Sequence, residues 1–190
     1  MVEDDEIPVL LERLSRVLQN EAHSGGLKPT QWEALRYLAR ANRFSRSPSA
    51  VTAYLGVTKG TVSQTLNALE RKGLIRKEAD PGDRRNLTIA VTPAGAALLA
   101  QDPVAVLMRS AAQLDPGVRR DLAAGLERLL AAALEQRGGR PFGVCRSCRF
   151  FQKRAVGGAP HRCALLEVPL SDEDSARICI EQEPAGAGRT

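Results

Sequence analysis

Four cysteines lie in the last quarter of this 190-residue chain, and the first 144 residues contain none. The chain begins with MVEDDEIP, which is acidic and lacks the apolar stretch of a secretion signal, so we expect a reducing, cytoplasmic environment. In that environment grouped thiols more often hold a metal than form disulfides. The cysteines therefore predict a small metal-binding unit attached to a larger domain.

The composition favours a helical protein with a polyanionic partner. Hydrophobic residues make up 43% of the chain, yet only seven residues are aromatic, and Leu and Ala supply most of the apolar mass. Such a composition favours helices over sheets. The net charge of +5 suits a partner such as nucleic acid. Because the chain has no run of 18 apolar residues, we expect no membrane span.

The order of the elements in the first half predicts a winged helix-turn-helix. Ser47-Pro48 and Thr58 resemble helix N-caps, and Gly56 and Gly73 resemble helix ends. Alternating apolar residues then predict two strands joined by a Pro-Gly turn. The predicted elements are helices at 7–22, from about 30 to 41, at 48–55 and from 58 to 73, and strands at 74–79 and 87–91.

Two more helices and a boundary follow. Thr92-Pro93 begins one helix, in which we expect a kink at Pro103, and Asp115-Pro116 begins a last long one. Glycines and a proline in residues 138–144 predict a linker, and residues 185–190 a disordered tail. The predicted domains are therefore residues 1–137 and residues 145–184.

The fourth predicted helix carries small polar side chains that suit DNA reading. Hydroxyl and amide groups near a helix N-terminus can approach base edges, and the unpaired N-terminal amides can meet a phosphate. A solvated surface helix would show a similar polar face. The candidate DNA-binding residues are Thr58, Lys59, Gly60, Thr61, Ser63, Gln64 and Asn67.

The hairpin that follows this helix favours nucleic-acid binding over the alternative that the polar face of the helix is only solvated. Arg84 and Arg85 lie at or near its tip, where a minor groove or the DNA backbone could receive them. From Arg71 to Arg85 there are six basic residues and three acidic ones.

At these residues the chain resembles the MarR-type transcriptional regulators. The motifs are LxPTQWEALRYLA, VTKGTVSQTLNALERKGLIRK and DPGDRRNLTIAVTPAG, followed by the long last helix, so the resemblance covers about residues 7–137. It implies a mainly α winged helix-turn-helix with an α+β wing hairpin and with dimerisation helices at both ends. Residues 58–67 would enter the major groove and Arg85 the minor groove, with Asp83 orienting that arginine.

The resemblance also implies a homodimer that binds a near-palindromic operator, more often as a repressor. The apolar stripes of the terminal helices agree, because little else in the chain could cover them. Two-fold symmetry would place the two recognition helices about one DNA turn, ~34 Å, apart. No small-molecule effector can be identified from the sequence.

The cysteine spacing leaves three interpretations. Cys145 and Cys148 form a CxxC pair, whereas Cys163 and Cys179 stand alone after gaps of fourteen and fifteen residues. A metal-free dithiol switch needs only two thiols, and structural zinc sites usually have two CxxC-like pairs. We favour a 4Fe-4S cluster over zinc, since cluster ligands can come from separated loops.

The cysteine segment also resembles small iron-sulfur domains of the high-potential type. Nearby apolar residues could shield a cluster: Phe150, Phe151, Leu165, Leu166 and Ile178. His161 is interpreted as a surface histidine, with zinc or cluster ligation as the alternative, and His23 as a helix C-terminal residue. Trp32 is predicted to pack in the core or in a dimer interface.

These features predict a DNA-binding regulator with a metal or redox input through its C-terminal cysteines. We expect loss or oxidation of the cluster to reorder residues 141–184. Because the linker directly follows the last dimerisation helix, this reordering should change the spacing of the two DNA-reading domains of the dimer. The alternative is a winged-helix protein-interaction subunit carrying a structural zinc or iron-sulfur domain. An enzyme is not expected, because the chain has no nucleophile–histidine–carboxylate set, phosphate loop or hydrolytic metal motif.

Overall fold

The fold is mainly helical with three small sheets. The computed structural model describes residues 6–21, 26–79, 87–139, 142–153 and 159–184, and the side chains of residues 20 and 21 are not described. The helices are α1 (Glu6–Glu21), α2 (Pro29–Arg40), α3 (Pro48–Leu55), α4 (Lys59–Arg71), α5 (Pro93–Leu99), α6 (Ala105–Ala112), α7 (Pro116–Gln136) and α8 (Asp172–Ser175). The strands are β1 (Ile75–Ala79), β2 (Leu87–Val91), β3 (Gly143–Val144), β4 (Phe151–Lys153), β5 (His161–Cys163), β6 (Val168–Leu170) and β7 (Ile178–Cys179).

The predicted start and stop signals of the central helices are confirmed. Ser47, Thr58 and Thr92 each accept, through the side-chain oxygen, the N–H of the residue three positions later. Gly56 has φ 64° and Gly73 has φ 68°, the left-handed backbone that glycine adopts at little cost. Local chemistry therefore fixes the boundaries of α3 and α4.

Helix α2 lies at the centre of the winged-helix core. It contacts α3, α4, α5 and β2, while β1 and β2 form an antiparallel hairpin that runs from the pair Ile75–Val91 to the pair Ala79–Leu87. Trp32 is fully buried in this core, as predicted for a packing residue. The largest buried side chains around it are Leu35, Tyr37, Leu38, Leu66, Leu69, Ile75 and Ile89.

The predicted kink at Pro103 is wrong, because the chain breaks there instead. α5 ends at Leu99, and α6 begins only at Ala105. The Asp102 carboxylate accepts the Val104 N–H at 2.9 Å and pairs with Arg36 of α2 at 2.9 Å. A side chain therefore takes the place of the backbone acceptor that a continuous helix would supply.

The C-terminal residues fold into two small antiparallel sheets. β3 pairs with β7, and β4, β5 and β6 form a three-stranded sheet in that order. Residues 142–144 of the predicted linker belong to this structure. Phe142 packs edge-on against Tyr54, with ring centroids 5.0 Å apart, and Gly143 pairs with Cys179.

The cysteine segment lies directly on the winged helix. Ala41, which follows α2, forms a parallel bridge with Ile178 of β7, and Ile178 is buried in the same core cluster as Trp32. Phe44, from the turn between α2 and α3, packs in turn against the cysteine cluster. Each of the two parts therefore contributes an apolar side chain to the buried cluster of the other.

Helices α1 and α7 expose their apolar side chains. α7 buries none of its residues within the described parts of this one chain, although it is 21 residues long. The large apolar side chains exposed on the two helices are Ile7, Val9, Leu10, Leu11, Leu14, Val17, Val118, Leu122, Leu126, Leu129 and Leu130.

Among the helices that the structure describes, none combines the length and the apolar character needed to cross a membrane.

Candidate nucleic-acid interface and cysteine site

Helix α4 presents a polar face to solvent because its apolar residues lie on one side. Val62, Leu66 and Leu69 are at most 1% exposed, and Thr65 is buried beside them. The Thr58 hydroxyl lies 2.9 Å from the Thr61 hydroxyl at the first turn of the helix. All of the predicted DNA-contacting positions of this helix are exposed: Thr58, Lys59, Gly60, Thr61, Ser63, Gln64 and Asn67.

The sequence did not indicate that Lys77 of β1 joins this face. Its Nζ donates to Asn67 Oδ1 at 2.6 Å and pairs with Glu70 at 2.8 Å. The hydrogen bond from Lys77 holds the pKa of Glu70 below its ordinary value. Lys77 uses one of the two lone pairs of the Asn67 oxygen, so the other lone pair and the amide nitrogen of Asn67 are the groups that could contact a base edge.

Two grooves flank α4 and bring in further residues. One groove lies between α4 and the start of α2, where Lys28, Thr30 and Gln31 face Gln64 and Arg71. The other groove lies between α4, α3 and the wing. Its polar lining adds Ser49, Thr52 and Lys77 to Lys59 and Ser63. Sequence analysis missed these flanking side chains because they come from elements that neighbour α4 only in the fold.

The wing residues Asp83, Arg84 and Arg85 lie outside the described residues. The described strands extend to the pair Ala79–Leu87, and residues 80–86 connect them. The roles of these three residues remain predictions.

The fold brings the four cysteines together from separate segments. Cys145 begins a 3-10 turn, and Cys148 follows it, with its N–H bonded to the Cys145 carbonyl at 3.0 Å. Cys163 ends β5, and Cys179 lies in β7, which pairs with the strand before Cys145. Cys145, Cys163 and Cys179 are buried in one cluster with Leu170, Phe150 and Phe151.

The thiols interact strongly with one another. A hydrogen bond with Cys179, followed by burial and by the charges of Cys163 and Cys148, raises the pKa of the Cys145 thiol. The same hydrogen bond lowers the pKa of Cys179, against the effect of burial. Of this coupled pair, Cys145 therefore holds a proton more readily than Cys179.

Hydrogen-bond donors surround these sulfurs. Backbone N–H groups of Leu166 and Glu183 donate to the Sγ atoms of Cys163 at 3.5 Å and Cys148 at 3.4 Å. Asn42 is only 1% exposed, and within the described residues its side-chain amide makes no hydrogen bond of standard length. It nevertheless lies close enough to Cys179 to lower the pKa of that thiol. Such donors are typical of the surroundings of metal-bound thiolates.

In the described parts of the chain, no group of three or more His, Cys, Asp and Glu side chains is arranged so that it could hold a metal ion. The cysteines thus converge in one cluster without forming a finished coordination sphere. The iron-sulfur and zinc assignments remain predictions.

The interpretation of His161 as a surface residue is wrong. His161 is 9% exposed, its Nε2 lies 3.0 Å from Asp172 Oδ1, and its ring packs against Phe151. Antiparallel pairing explains the burial, because alternate residues of β5 share a face and Cys163 is also buried. His23 lies outside the described residues.

The apolar residues predicted to shield the site have different positions. Phe150 and Phe151 pack against the cysteine cluster, whereas Ile178 belongs to the winged-helix core. Leu165 and Leu166 are 42% and 37% exposed. Part of the predicted shield is therefore used to attach the segment to the winged helix.

Comparison with known proteins supports the MarR family for the winged-helix part. A family model described as MarR family matches residues 25–86. A Thauera aromatica protein, whose name proposes a transcriptional regulatory protein for the hcr operon, is 32% identical over 107 residues, or 55% of this chain. The chain spans 63% of the length of that relative.

Solved structures show the same fold. MepR from S. aureus, in a complex with DNA, is 20% identical and aligns with 70% of this chain and 99% of its own, with a TM-score of 0.54. CouR from Rhodococcus jostii RHA1, bound to p-coumaroyl-CoA, is 23% identical and aligns with 66% of this chain and 92% of its own, with a TM-score of 0.55. The described architecture is thus a MarR-like winged helix with a small β wing.

Proposed function

We propose that this protein is a DNA-binding transcriptional regulator of the MarR type, acting as a repressor. The observation that carries the proposal is the exposed polar face of α4, which begins at a capped N-terminus and lies between two grooves with basic residues. Thr58–Asn67 would read the major groove, and Arg84 and Arg85 would contact the minor groove or backbone, with Asp83 orienting Arg85. The match to MarR regulators at residues 25–86 supports the same conclusion.

The functional unit would be a homodimer on a near-palindromic operator. The exposed apolar side chains of α1 and α7 give each of these helices more apolar surface than isolated surface leucines would. A second copy would cover it and place the two α4 helices for successive major grooves.

The four cysteines would hold a metal centre that informs the regulator of metal or redox state. Four thiols supply the donor atoms that either a 4Fe-4S cluster or zinc requires, although their arrangement in the described part of the chain is not a finished coordination sphere. We favour the cluster because only one pair has CxxC spacing. The Asn42 amide, which has no hydrogen-bond partner among the described residues, and the N–H donors to Cys148 and Cys163 suit thiolates that carry charge. The bound metal centre would stabilise the fold of this segment, so the stability of the segment would depend on metal binding or on the oxidation state of the centre.

The test separates phosphate or groove anchoring from base reading. With a duplex selected from random sequences, Arg85→Ala should weaken binding to selected and random DNA alike and reduce the salt slope by about one. Gln64→Ala should cost about 1–3 kcal/mol on the selected duplex and relax the sequence preference. The control is Arg40→Ala, which removes the same charge from the exposed end of α2.

Binding that does not depend on salt, or equal losses in all of these variants, would contradict the proposal. The chain would then be better described as a winged-helix protein-interaction subunit, since phosphate contacts necessarily release counterions.

A further inference from the structure

The turn between α2 and α3, residues 41–47, touches both the cysteine site and the DNA-reading half. It contains the 3-10 segment Arg43–Ser45 and ends at Ser47, the N-cap of α3. Asn42 and Ser45, at 1% and 0% exposed, are among the most buried polar residues of the described chain. Buried polar groups fix one arrangement of the backbone when their partners are in place.

On one side, the turn holds the strand that carries Cys179. The Asn42 N–H donates to the Ile178 carbonyl at 2.9 Å, and the Ile180 N–H donates to Ser45 Oγ at 3.0 Å. These bonds bracket Cys179 on both sides. Asn42 and Ser45 therefore lie next to the backbone on either side of Cys179.

Charged side chains extend the same contact. Arg43 donates to Asp174 at 2.7 Å and to the Pro169 carbonyl at 2.6 Å. Arg177 donates to the Ala39 carbonyl at 2.6 Å. The cysteine segment is therefore attached by paired charges as well as by apolar packing.

On its other side, the turn holds the wing and the core. The Ile89 N–H of β2 donates to the Arg46 carbonyl at 2.7 Å, and the Tyr37 hydroxyl donates to the Ser45 carbonyl at 2.8 Å. Ile89 lies in the middle of the strand that follows the wing tip. A shift of the turn would therefore move the wing strand and the start of α3 together.

We propose that this turn couples occupancy of the four-cysteine site to DNA binding within a single protomer, with Asn42 as the positioning residue for Cys179. The inference deepens the proposed function and rests on it. Coupling needs a set of contacts that both sites bias, and residues 41–47 provide one. The route differs from the one expected from the sequence, which passed through α7 and required a change in the dimer.

The direction of the coupling follows from the conformational entropy that the protein loses when it binds DNA. A filled site holds β7 in place, and β7 holds the turn against β2. The filled form would then spend less conformational entropy when the wing and α4 dock on DNA. Metal-loaded protein should therefore bind the selected duplex more tightly, by about 5- to 150-fold, the usual range of coupling between sites.

Hydrogen exchange tests the coupling without DNA. Reduced, metal-free full-length protein is compared with the same protein loaded with zinc, which four thiolates bind readily. Zinc should slow exchange at the amides of Asn42, Ile180 and Ile89. Protection confined to residues 142–184 would overturn the inference, whatever the protein does with DNA.

A second experiment measures DNA affinity with and without zinc. Arg43→Ala should still bind zinc but bring the ratio of the two dissociation constants toward one. Arg149→Ala removes an arginine paired at 2.8 Å with Glu183 inside the cysteine segment, and it should keep the wild-type ratio. A wild-type ratio of one with zinc bound would refute the coupling, whereas no binding of either form to DNA would refute the proposed function.

Asn42→Ala tests the positioning role. Loss of an outer partner of a metal ligand should weaken zinc binding by about 10- to 100-fold. With Co²⁺ as the probe, the sulfur-to-metal absorption band should also shift, which a residue that only fills space would not cause. Unchanged zinc affinity together with an unchanged band would exclude Asn42 from this role.

Discussion

The winged-helix half and the cysteine segment are stabilised in different ways. The first buries a continuous set of large side chains around Trp32, whereas the buried cluster of the second consists of Leu170 and three cysteines. Burial of each large apolar side chain stabilises a fold by about 1.5–3 kcal/mol, so the first half can support itself. The second has too little apolar surface and depends on its thiols and on the turn that holds β7. Because the fold of the cysteine segment depends on both its thiols and this turn, a change in either of them should alter the segment.

The largest expected effect comes from removing a thiol. Cys148→Ser should abolish metal binding and expose residues 142–184 to protease, because structural metal contributes about 10 kcal/mol or more to the folding of small metal-dependent units. The winged helix should keep its own protection. Limited proteolysis with mass spectrometry and metal analysis checks both. An intact C-terminal segment in metal-free Cys148→Ser protein would show that the two regions do not differ in this way.

A substitution in the core should destabilise the winged helix more than the cysteine segment, by a smaller free energy than loss of the metal. Leu66→Ala removes a side chain that is 1% exposed and should lower the free energy of unfolding of the winged helix by about 2–5 kcal/mol. The same chemical change at Leu165, which is 42% exposed in the cysteine segment, should cost less than about 0.5 kcal/mol. Denaturant unfolding of both variants, each loaded with zinc, measures the difference. Equal costs would mean that burial does not distinguish the regions.

The smallest expected effect concerns the turn between α2 and α3, which connects the winged helix to the cysteine segment. Tyr37→Phe removes the hydrogen bond to the Ser45 carbonyl and should cost about 1–2 kcal/mol. Burial, followed by the charges of Cys179 and Tyr54, raises the pKa of Tyr37 above the ordinary tyrosine value. Because the folded state favours the protonated phenol, this contribution is fully present below about pH 10 and is lost as the pH rises further.

Thermal unfolding across the alkaline range checks this prediction. The wild-type Tm should fall more steeply above about pH 10 than that of Tyr37→Phe. Tyr54→Phe is the control, since the Tyr54 side chain is 38% exposed. Parallel curves for wild type and Tyr37→Phe would mean that the phenol does not carry the alkaline sensitivity.

Much of the winged helix could be predicted because its signals are local. The caps at Ser47, Thr58 and Thr92 and the glycines that end α3 and α4 act within a few residues of themselves. Side-chain periodicity likewise placed Val62, Leu66 and Leu69 on the buried face of α4. The predicted kink at Pro103 was wrong because the break between α5 and α6 involves an ion pair between Asp102 and Arg36, which are far apart in the sequence.

The candidate sites were predictable in residue type but not in surroundings. Four cysteines and a polar helix could be predicted from the chain. Neither the position of Lys77 beside Asn67 nor that of Asn42 beside the strand of Cys179 has a sequence signal. His161 was misjudged because the burial of one residue in a three-residue strand depends on what packs against that strand.

The sequence by itself determined the element order of the winged helix, the exposed polar face of α4 and the grouping of thiols near the C-terminus. These features follow from backbone preferences and periodicity, which act over a few residues. The tertiary structure decided where the cysteine segment lies, namely on the turn between α2 and α3 rather than beyond a free linker. That position rests on pairings such as Arg43 with Asp174, which lie 131 residues apart and leave no periodic trace in the chain.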